Sequence, residues 1–371
     1  MLYTDGIART MPATSVYLCG TGSNGYVVVC DYDLDEGALT EARSLLGSGS
    51  ELYMSGSDLY VLGSKWETRE TAKYPESVYT VTEYLNAAAT EIYRFDLRAG
   101  GLELAAKGSV PGYIESQFSA DQYNGHLRLV TTKNESTYRT YVDAAYDFTN
   151  YRWDESSTSS GLYILDAGLN VVGSVTDLAP GEQVYSARFD GDVAYFTTFR
   201  NVDPLFAVDV SDPTAPKVLS ALKISGFSEY LHSWTEGKLF GFGYEADEDT
   251  GRTRGLKLVM FNTEDKTDVR AENSLVLYAD YSQALYDHKA FFIDSAKNII
   301  GFAGDGDYYI FSYDAADGFT QLARIDFEGW GYNVRGFWIG GLAYIVGQET
   351  LTVLDMGDWS TVATLNIAPE K

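Results

Sequence analysis

A chain of 371 residues that is 45% hydrophobic and 14% aromatic has enough apolar content to bury a large core. Its 27 Lys and Arg against 53 Asp and Glu leave a net charge of −26. That balance excludes the clustered basic surface that nucleic acid requires, and it excludes electrostatic attraction to anionic lipid. The 29 Tyr and 36 Gly against 8 Pro favour short strands joined by tight turns. No stretch approaches the roughly 18 apolar residues of a membrane helix, and no basic-then-apolar leader precedes residue 20.

In chain order, the first strong signal is "LCGTGSNGYVVVCD", which holds the two cysteines. The Asn24-Gly25 pair favours a type I′ hairpin turn. A two-residue loop there pairs Ser23 with Tyr26 and sets Cys19 opposite Cys30, within reach of a disulfide that the sequence leaves open.

Helical periodicity is almost absent after that, and alternating β segments ending at turn clusters take its place. One segment type recurs seven times: "VVVCD", "IYRFD", "LYILD", "LFAVD", "LVMFN", "YYIFS" and "LTVLD" end at Asp31, Asp96, Asp166, Asp209, Asn262, Ser312 and Asp355. A turn and a strand precede most copies ("DGDVAYFTT", "EGKLFGFG", "GGLAYIVG"), and a further strand follows. Repetition of three or four antiparallel strands points to radial closure, which leaves few exposed sheet edges. The expected fold is all-β: a single β-propeller spanning 1–371, of seven four-stranded antiparallel blades, with six or eight as alternatives. The blades fall at 1–49, 50–113, 114–184, 185–228, 229–283, 284–331 and 332–371. The first is incomplete unless residues 1–13 supply its innermost strand. The recurrent Asp is expected to hold its own turn.

With strands labelled A to D outward from the axis, the two longest insertions, 65–90 and 133–160, are B–C loops, as is the acidic "YEADEDTGRTRG". The D–A segments "SGFSEYLHSW" and "YSQALYDHKAFF" open on the same face, and elaborated loops on a rigid scaffold commonly carry function. The insertions "KYPESVYTVTEYLN" and "STYRTYVDAAYDFTNYRW" are rich in Tyr, which gives amphipathic contact area at low entropic cost. Tyr79, Tyr84, Tyr141, Tyr151 and Trp153 are therefore candidate partner-binding residues.

The stretches "ESQFSADQYNGHLRLVTT", "APGEQVYSARFDGDVAYFTTFRNVDPLFAVDVSDPTAPKVLSALKISGFSEYLH", "GLKLVMFN" and "YSQALYDHKAFFID" resemble bacterial secreted proteins with a β-propeller domain distantly related to WD40 repeats. They cover most of residues 112–295, although no WD dipeptide is present. The resemblance implies an exported, often membrane-tethered propeller with no assigned activity, and it carries over no catalytic residue. Such relatives are longer at the N-terminus, so the start "MLYTDGIART" reads as a truncation.

Only three histidines are present. In "YDHKAFF", Asp287, His288 and Lys289 enter an A strand. If that segment is extended, Asp287 and Lys289 point away from His288. The expected role of the triplet is inter-blade bracing, with Phe291 and Phe292 anchoring the strand behind it. Tyr230 and His232 occupy the equivalent entry of the preceding blade, so all five are candidate ligand contacts. Two histidines alone make a poor metal site, and a third ligand would have to be Asp287, Glu229 or Glu236. His126, in "YNGHLR", is expected to be peripheral. Asp247 and Asp249 have calcium-loop spacing, but the bidentate Glu is missing. No cofactor is expected, with calcium at that pair as the open alternative. No nucleophile elbow, P-loop or dinucleotide fingerprint appears, and no catalytic residue is assigned.

The functional expectation is an extracellular or envelope-attached binding or scaffold module. Its partner would be a protein, peptide or glycan at the cell surface, with no nucleic acid and no membrane insertion. The alternative is a hydrolase or lyase acting on extracellular polymer at the channel mouth. Propellers host both, so the fold alone does not decide.

Overall fold

The computed structural model describes the chain except residues 1, 5–6, 20–24, 48–50, 98–100, 144, 147, 200–202, 248–249, 328–332 and 369–371. Strands and turns make up nearly all of it. The helical content among the described residues is four three-residue 3-10 turns, at Ala13–Ser15, Gln117–Ser119, Gln283–Leu285 and His288–Ala290. The chain divides into two compact units. The first comprises 1–184, 191–193 and 209–217; the second comprises 185–190, 194–208 and 218–371.

The first unit opens with β1 (Leu2–Thr4) and β2 (Ile7–Arg9), a hairpin of its own. Among the described residues these two strands do not join the next sheet, which keeps three: β3 (Val16–Leu18), β4 (Tyr26–Asp33) and β5 (Ala38–Leu46), in the order β3-β5-β4. This overturns the expected pairing of Cys19 with Cys30. Strand β5 lies between β3 and β4, parallel to β3 and antiparallel to β4, so Cys30 faces Ala42 and the Cys19 N–H donates to the Leu46 carbonyl. Both thiols are free. The hairpin forms instead one turn later, where Asp33 Oδ1 accepts the N–H groups of Asp35 and Glu36 and Gly37 takes φ +62°. Asn24 lies outside the described residues.

Two further groups of four strands follow. The first is β6 (Glu51–Met54), β7 (Asp58–Glu76), β8 (Tyr79–Asp96) and β9 (Glu103–Pro111). The second is β10 (Ala120–Tyr123), β11 (His126–Asp143), β12 (Phe148–Leu165) and β13 (Val171–Leu178). They do not stay separate: β8 pairs with β11, and all eight strands form one sheet.

The remaining strands are successive four-stranded meanders. They are β14 (Gln183–Asp190), β15 (Val193–Phe199), β16 (Asp203–Asp209) and β17 (Lys217–Ile224); then β18 (Phe227–Thr235), β19 (Lys238–Ala246), β20 (Thr253–Asn262) and β21 (Arg270–Leu277). Next come β22 (Phe292–Asp294), β23 (Ile299–Gly304), β24 (Asp307–Asp314) and β25 (Gly318–Asp326), and finally β26 (Arg335–Ile339), β27 (Leu342–Val346), β28 (Thr350–Asp355) and β29 (Thr361–Asn366). In each sheet the four strands lie side by side in chain order.

The second and third strands are the most apolar, since both of their faces are covered. In β20 every residue from Gly255 to Phe261 is buried, and in β23 all six residues are. The buried charges Asp58 and Glu91 of the first unit are paired: Asp58 takes Arg94 Nε at 2.7 Å and Gln122 Nε2 at 2.7 Å, while Glu91 takes Lys65 Nζ at 2.9 Å and the Tyr93 hydroxyl at 2.7 Å. Removing one partner of such a buried pair typically costs about 3–5 kcal/mol. Among the described residues the recurrent residue holds its own turn at four of its seven positions, while after Asp31 the turn is held by Asp33 instead. Asp166, Asp209, Asn262 and Asp355 each accept a backbone N–H from the turn that follows, at 2.9, 3.0, 3.0 and 2.7 Å. The Asn170 N–H holds the Asp166 carboxyl below its ordinary pKa, and the Ser211 hydroxyl, with the Ser211 N–H, does the same for Asp209.

Candidate functional site

The two long insertions are not loops. Beyond the blade, β7 and β8 continue as one hairpin and β11 and β12 as another, and the hairpins join through nine residue pairs from Ala87–Glu135 to Tyr79–Asp143. The result is a projecting four-stranded sheet in the order β7-β8-β11-β12. The sequence supports this locally. Thr80, Thr82 and Tyr84 alternate with Tyr79 and Val81, and Tyr138, Thr140 and Val142 alternate around Tyr141, which is the β-branched and aromatic alternation a strand prefers.

Successive residues face opposite sides of the projecting sheet. On one face Tyr84 stands opposite Tyr138, and Tyr138 opposite Trp153. The Tyr84 and Tyr138 rings stack at 4.9 Å and 16°, and Trp153 and Tyr151 lie 4.9 and 6.5 Å from Tyr138. On the other face Tyr79 meets Tyr141 edge to face at 6.1 Å. Beside them Tyr74 donates to Glu83 at 2.9 Å, and Arg139 forks onto Asp154 at 2.7 and 2.6 Å. The guanidinium holds the Asp154 carboxyl below the usual range.

The predicted aromatic residues therefore divide by role. Tyr84 and Tyr141 serve the sheet as cross-strand contacts and are partly covered, as is Tyr138, which the sequence did not single out, and Tyr79 is 36% exposed. Tyr151 and Trp153 remain 67% and 64% exposed. Sequence reasoning missed Trp66, 58% exposed, and Phe148, 55% exposed. Trp66 pairs with Ala88 and falls on the same face as Tyr84, a placement that two-residue alternation from Tyr84 would have found.

The outer strands of the projecting sheet differ. Along β7 a bulge between Glu70 and Ala72, Pro75, and the charges of Lys65, Glu67, Arg69 and Lys73 guard the edge. Along β12, residues 148–157 are all exposed and pair with β11 except Asp154, which forms a bulge between Trp153 and Glu155.

The second unit holds the other five candidates. Asp287 is extended, but His288 and Lys289 are not as expected; His288–Ala290 form a 3-10 turn capped by Asp287, whose Oδ1 accepts the Lys289 N–H at 3.0 Å. Asp is a favoured cap, and its local bond outcompetes strand extension here. The other carboxyl oxygen takes Arg335 at 2.6 Å, and Arg335 also donates to Gln283 Oε1 at 3.1 Å. Asp287 thus ties the entry of β22 to the start of β26. Arg335 and Gln283, both missed in the sequence, complete that tie. His288 is partly buried, and burial lowers its pKa, opposed by Asp287. Lys289 is exposed.

Behind the turn, successive rings go to different neighbours. Phe291 stacks on Tyr230 at 4.7 Å and meets Phe242 edge-on at 5.1 Å. Phe292 joins the cluster of Tyr308, Ile310 and Ile345. The Tyr230 hydroxyl shares a hydrogen bond with His232 Nδ1 at 3.1 Å. Burial, with a smaller push from Arg188, brings the His232 pKa down to about 4, so the ring is neutral near pH 7. His126 sits at a turn with Nδ1 3.1 Å from the Asn124 carbonyl.

Asp247 is engaged by its own loop, accepting the N–H and hydroxyl of Thr250 at 2.9 Å each and pairing with Arg254. Asp249 lies outside the described residues. Among the described residues no group of three metal-ligating side chains converges, and no helix is long and apolar enough to cross a membrane.

The model of a beta propeller domain matches residues 3–356. The chain belongs to the β-propeller domain family. This all-β propeller is 35% identical over 301 residues to an uncharacterised protein of Archaeoglobus fulgidus, covering 80% of this chain and 43% of that protein. It is 30% identical over 289 residues to an uncharacterised protein of Methanocaldococcus jannaschii, covering 78% and 41%. The propeller thus spans about two fifths of the length of these curated relatives, both archaeal. Among solved structures it is similar to apo AztD from Citrobacter koseri, at 11% identity, TM-score 0.44 and 92% coverage of both chains. It is also similar to a periplasmic gluconolactonase of Pseudomonas aeruginosa, at 13% identity, TM-score 0.45 and 91% and 92% coverage.

Proposed function

We propose that this propeller is a binding or scaffold module of the cell surface, of seven blades, and that its contact surface is the projecting sheet β7-β8-β11-β12. The observation that supports the reading is the exposure of Trp66, Val78, Tyr146, Phe148, Tyr151 and Trp153, each between 55% and 82% exposed within the two hairpins. Trp66, Tyr151 and Trp153 share one face of the sheet and Phe148 lies on the other; large apolar side chains exposed together on one face mark interaction sites. Rigid aromatic rings supply contact area with little entropy to lose. The partner in this reading is a protein, peptide or glycan outside the cell. Export follows the resemblance to secreted bacterial propellers, whose distant kinship to WD40 repeats is part of the same proposal. The alternative of polymer cleavage has less support: Tyr230, His232 and Asp287 are each engaged in contacts within the fold.

The test is co-sedimentation with the cell-envelope fraction of the source organism. A Tyr151→Ala, Trp153→Ala double variant should lose at least about tenfold in retention, 1.4 kcal/mol of binding, with its melting temperature close to wild type. Equal retention of both proteins sinks the proposal. Protease accessibility on intact cells tests the location separately.

A further inference from the structure

A second surface, independent of the projecting sheet, carries an inference of its own. In the second unit a cleft of about 620 Å³ opens between the turn at Lys297 and Asn298 and the turns at Gly340–Gly341 and Asp355–Trp359. Its volume falls within the range of small-molecule sites. Ile299, Leu322, Met356 and Trp359 give it an apolar floor, and Asn298, Ser312 and Asp355 give it a polar wall. A Cβ built on Gly340 or Gly341 meets nothing within 4 Å, so the glycine wall stands open.

Trp359 is the informative residue. Its φ is +61°, a left-handed conformation that bulky residues rarely adopt. The turn at Asp166–Asn170 solves the same problem with Leu169 at φ +62°. In both, the Asp N–H donates to the residue closing the turn, and the Asp carbonyl accepts the N–H of the left-handed residue. The turn therefore requires a left-handed residue at that place but not an indole. The two side chains also differ in use. Leu169 is 4% exposed and packed so tightly that a Cβ on Gly108 would come within 2.6 Å of it. Trp359 is only partly covered and lines the cleft.

The wall offers hydrogen-bond valences more than bare charge. Asn298 Oδ1 is committed to the Tyr313 N–H at 2.9 Å, which leaves its amide N–H₂. Asp355 Oδ1 is committed to the Gly357 N–H at 2.7 Å, which leaves Oδ2. The Lys297 ammonium rests 4.2 Å over the Trp338 ring. An indole floor with an amide, a hydroxyl and one carboxylate oxygen beside it matches a pyranose ring, which has an apolar C–H face and hydroxyls in its plane. We propose that this cleft binds a neutral hexose unit, its C–H face on Trp359 and its hydroxyls on Asn298 and Asp355.

The experiment is saturation-transfer NMR on the whole chain with the methyl glycosides of glucose, galactose, mannose and N-acetylglucosamine as probes, each at about 20 mM, suited to weak small-ligand affinity. Wild type should transfer saturation to the ring protons of at least one glycoside. Trp359→Leu, which borrows the residue the turn at Asp166 already tolerates, should lose about tenfold in affinity with an unchanged melt, and Asp355→Asn about fivefold. Trp153→Ala, on the other surface, should bind as wild type. No transfer from any of the four glycosides overturns the proposal. So does equal binding by Trp359→Leu, or displacement of the glycoside by a free zwitterionic amino acid. If Trp359→Leu does not fold, an about fivefold rise in the glycoside midpoint of the tryptophan fluorescence change in Asp355→Asn supports the site, and an unshifted midpoint overturns it.

Discussion

Two aromatic regions of this propeller have similar composition and opposite uses. Around Phe291, the rings of Tyr230, Phe242 and Phe302 surround one side chain that is 7% exposed. On the projecting sheet, Tyr84 stacks on Tyr138, Trp153 tilts against Tyr138, and Trp153 remains 64% exposed. The first arrangement encloses a ring on all sides. The second spends one ring face on its neighbour and leaves the rest to solvent. Aromatic content in the sequence therefore does not distinguish a joint from a contact surface; the number of faces covered does.

The largest expected effect breaks the enclosed region. Phe291→Ala should lower stability by about 3–5 kcal/mol, read as the denaturation midpoint, because the cavity lies among rings that cannot close in. A loss below about 1 kcal/mol would mean the region is as loose as the projecting sheet.

Next comes pH. His232 has a folded pKa of about 4 against an ordinary value of 6.5, so between those values the unfolded chain binds the extra proton. Stability from this residue is fully present above about pH 6.5 and falls as pH drops toward 4, by up to about 3 kcal/mol. Denaturation at pH 7, 5.5 and 4 should show this slope, and His232→Asn should flatten it. An identical slope in the variant would remove His232 as its source.

A smaller effect separates neighbours in one turn. Asp287→Ala forfeits both the cap and the Arg335 pair and should cost about 1–2 kcal/mol. His288→Ala should cost less than its neighbour, under about 1 kcal/mol. Thermal melts of the pair decide it, and the reverse order would return the bracing role to the histidine. Smallest of all, Trp153→Ala should shift stability by less than about 1 kcal/mol, since only a cross-strand contact is lost. A loss comparable to Phe291→Ala would show that the projecting sheet is itself a core.

Much of the β architecture was legible. Segments such as "YYIFS" and "LVMFN" carry their burial in their own composition, and the Asp that follows many of them announces its turn. Pairing between distant segments was not. Nothing local in "VYLC" says that it lies parallel to β5, since the Asn24-Gly25 signal is a preference of two residues and sheet order is a property of all three strands. The length of the insertions suggests loops, although Thr80, Thr82 and Tyr84 alternate as a strand does. Of the candidate site residues, Asp287 was legible as a polar latch, but its partner Arg335 lies 48 residues on. Nothing local marks Trp359, since its left-handed backbone and its place beside Asn298 arise only in the fold.

The joining of β8 to β11 has a mechanical consequence. Nine residue pairs link the two hairpins along their length. A partner pulling on the tip along the strands would load the hydrogen bonds of those pairs together, in shear. The same force applied across the strands would open them one at a time, like a zipper, because the bonds run perpendicular to the chain. Single-molecule pulling from residue 78 in the two directions should give a higher rupture force along the strands, so the tip would resist a tether drawn along the strands and yield to one drawn across them.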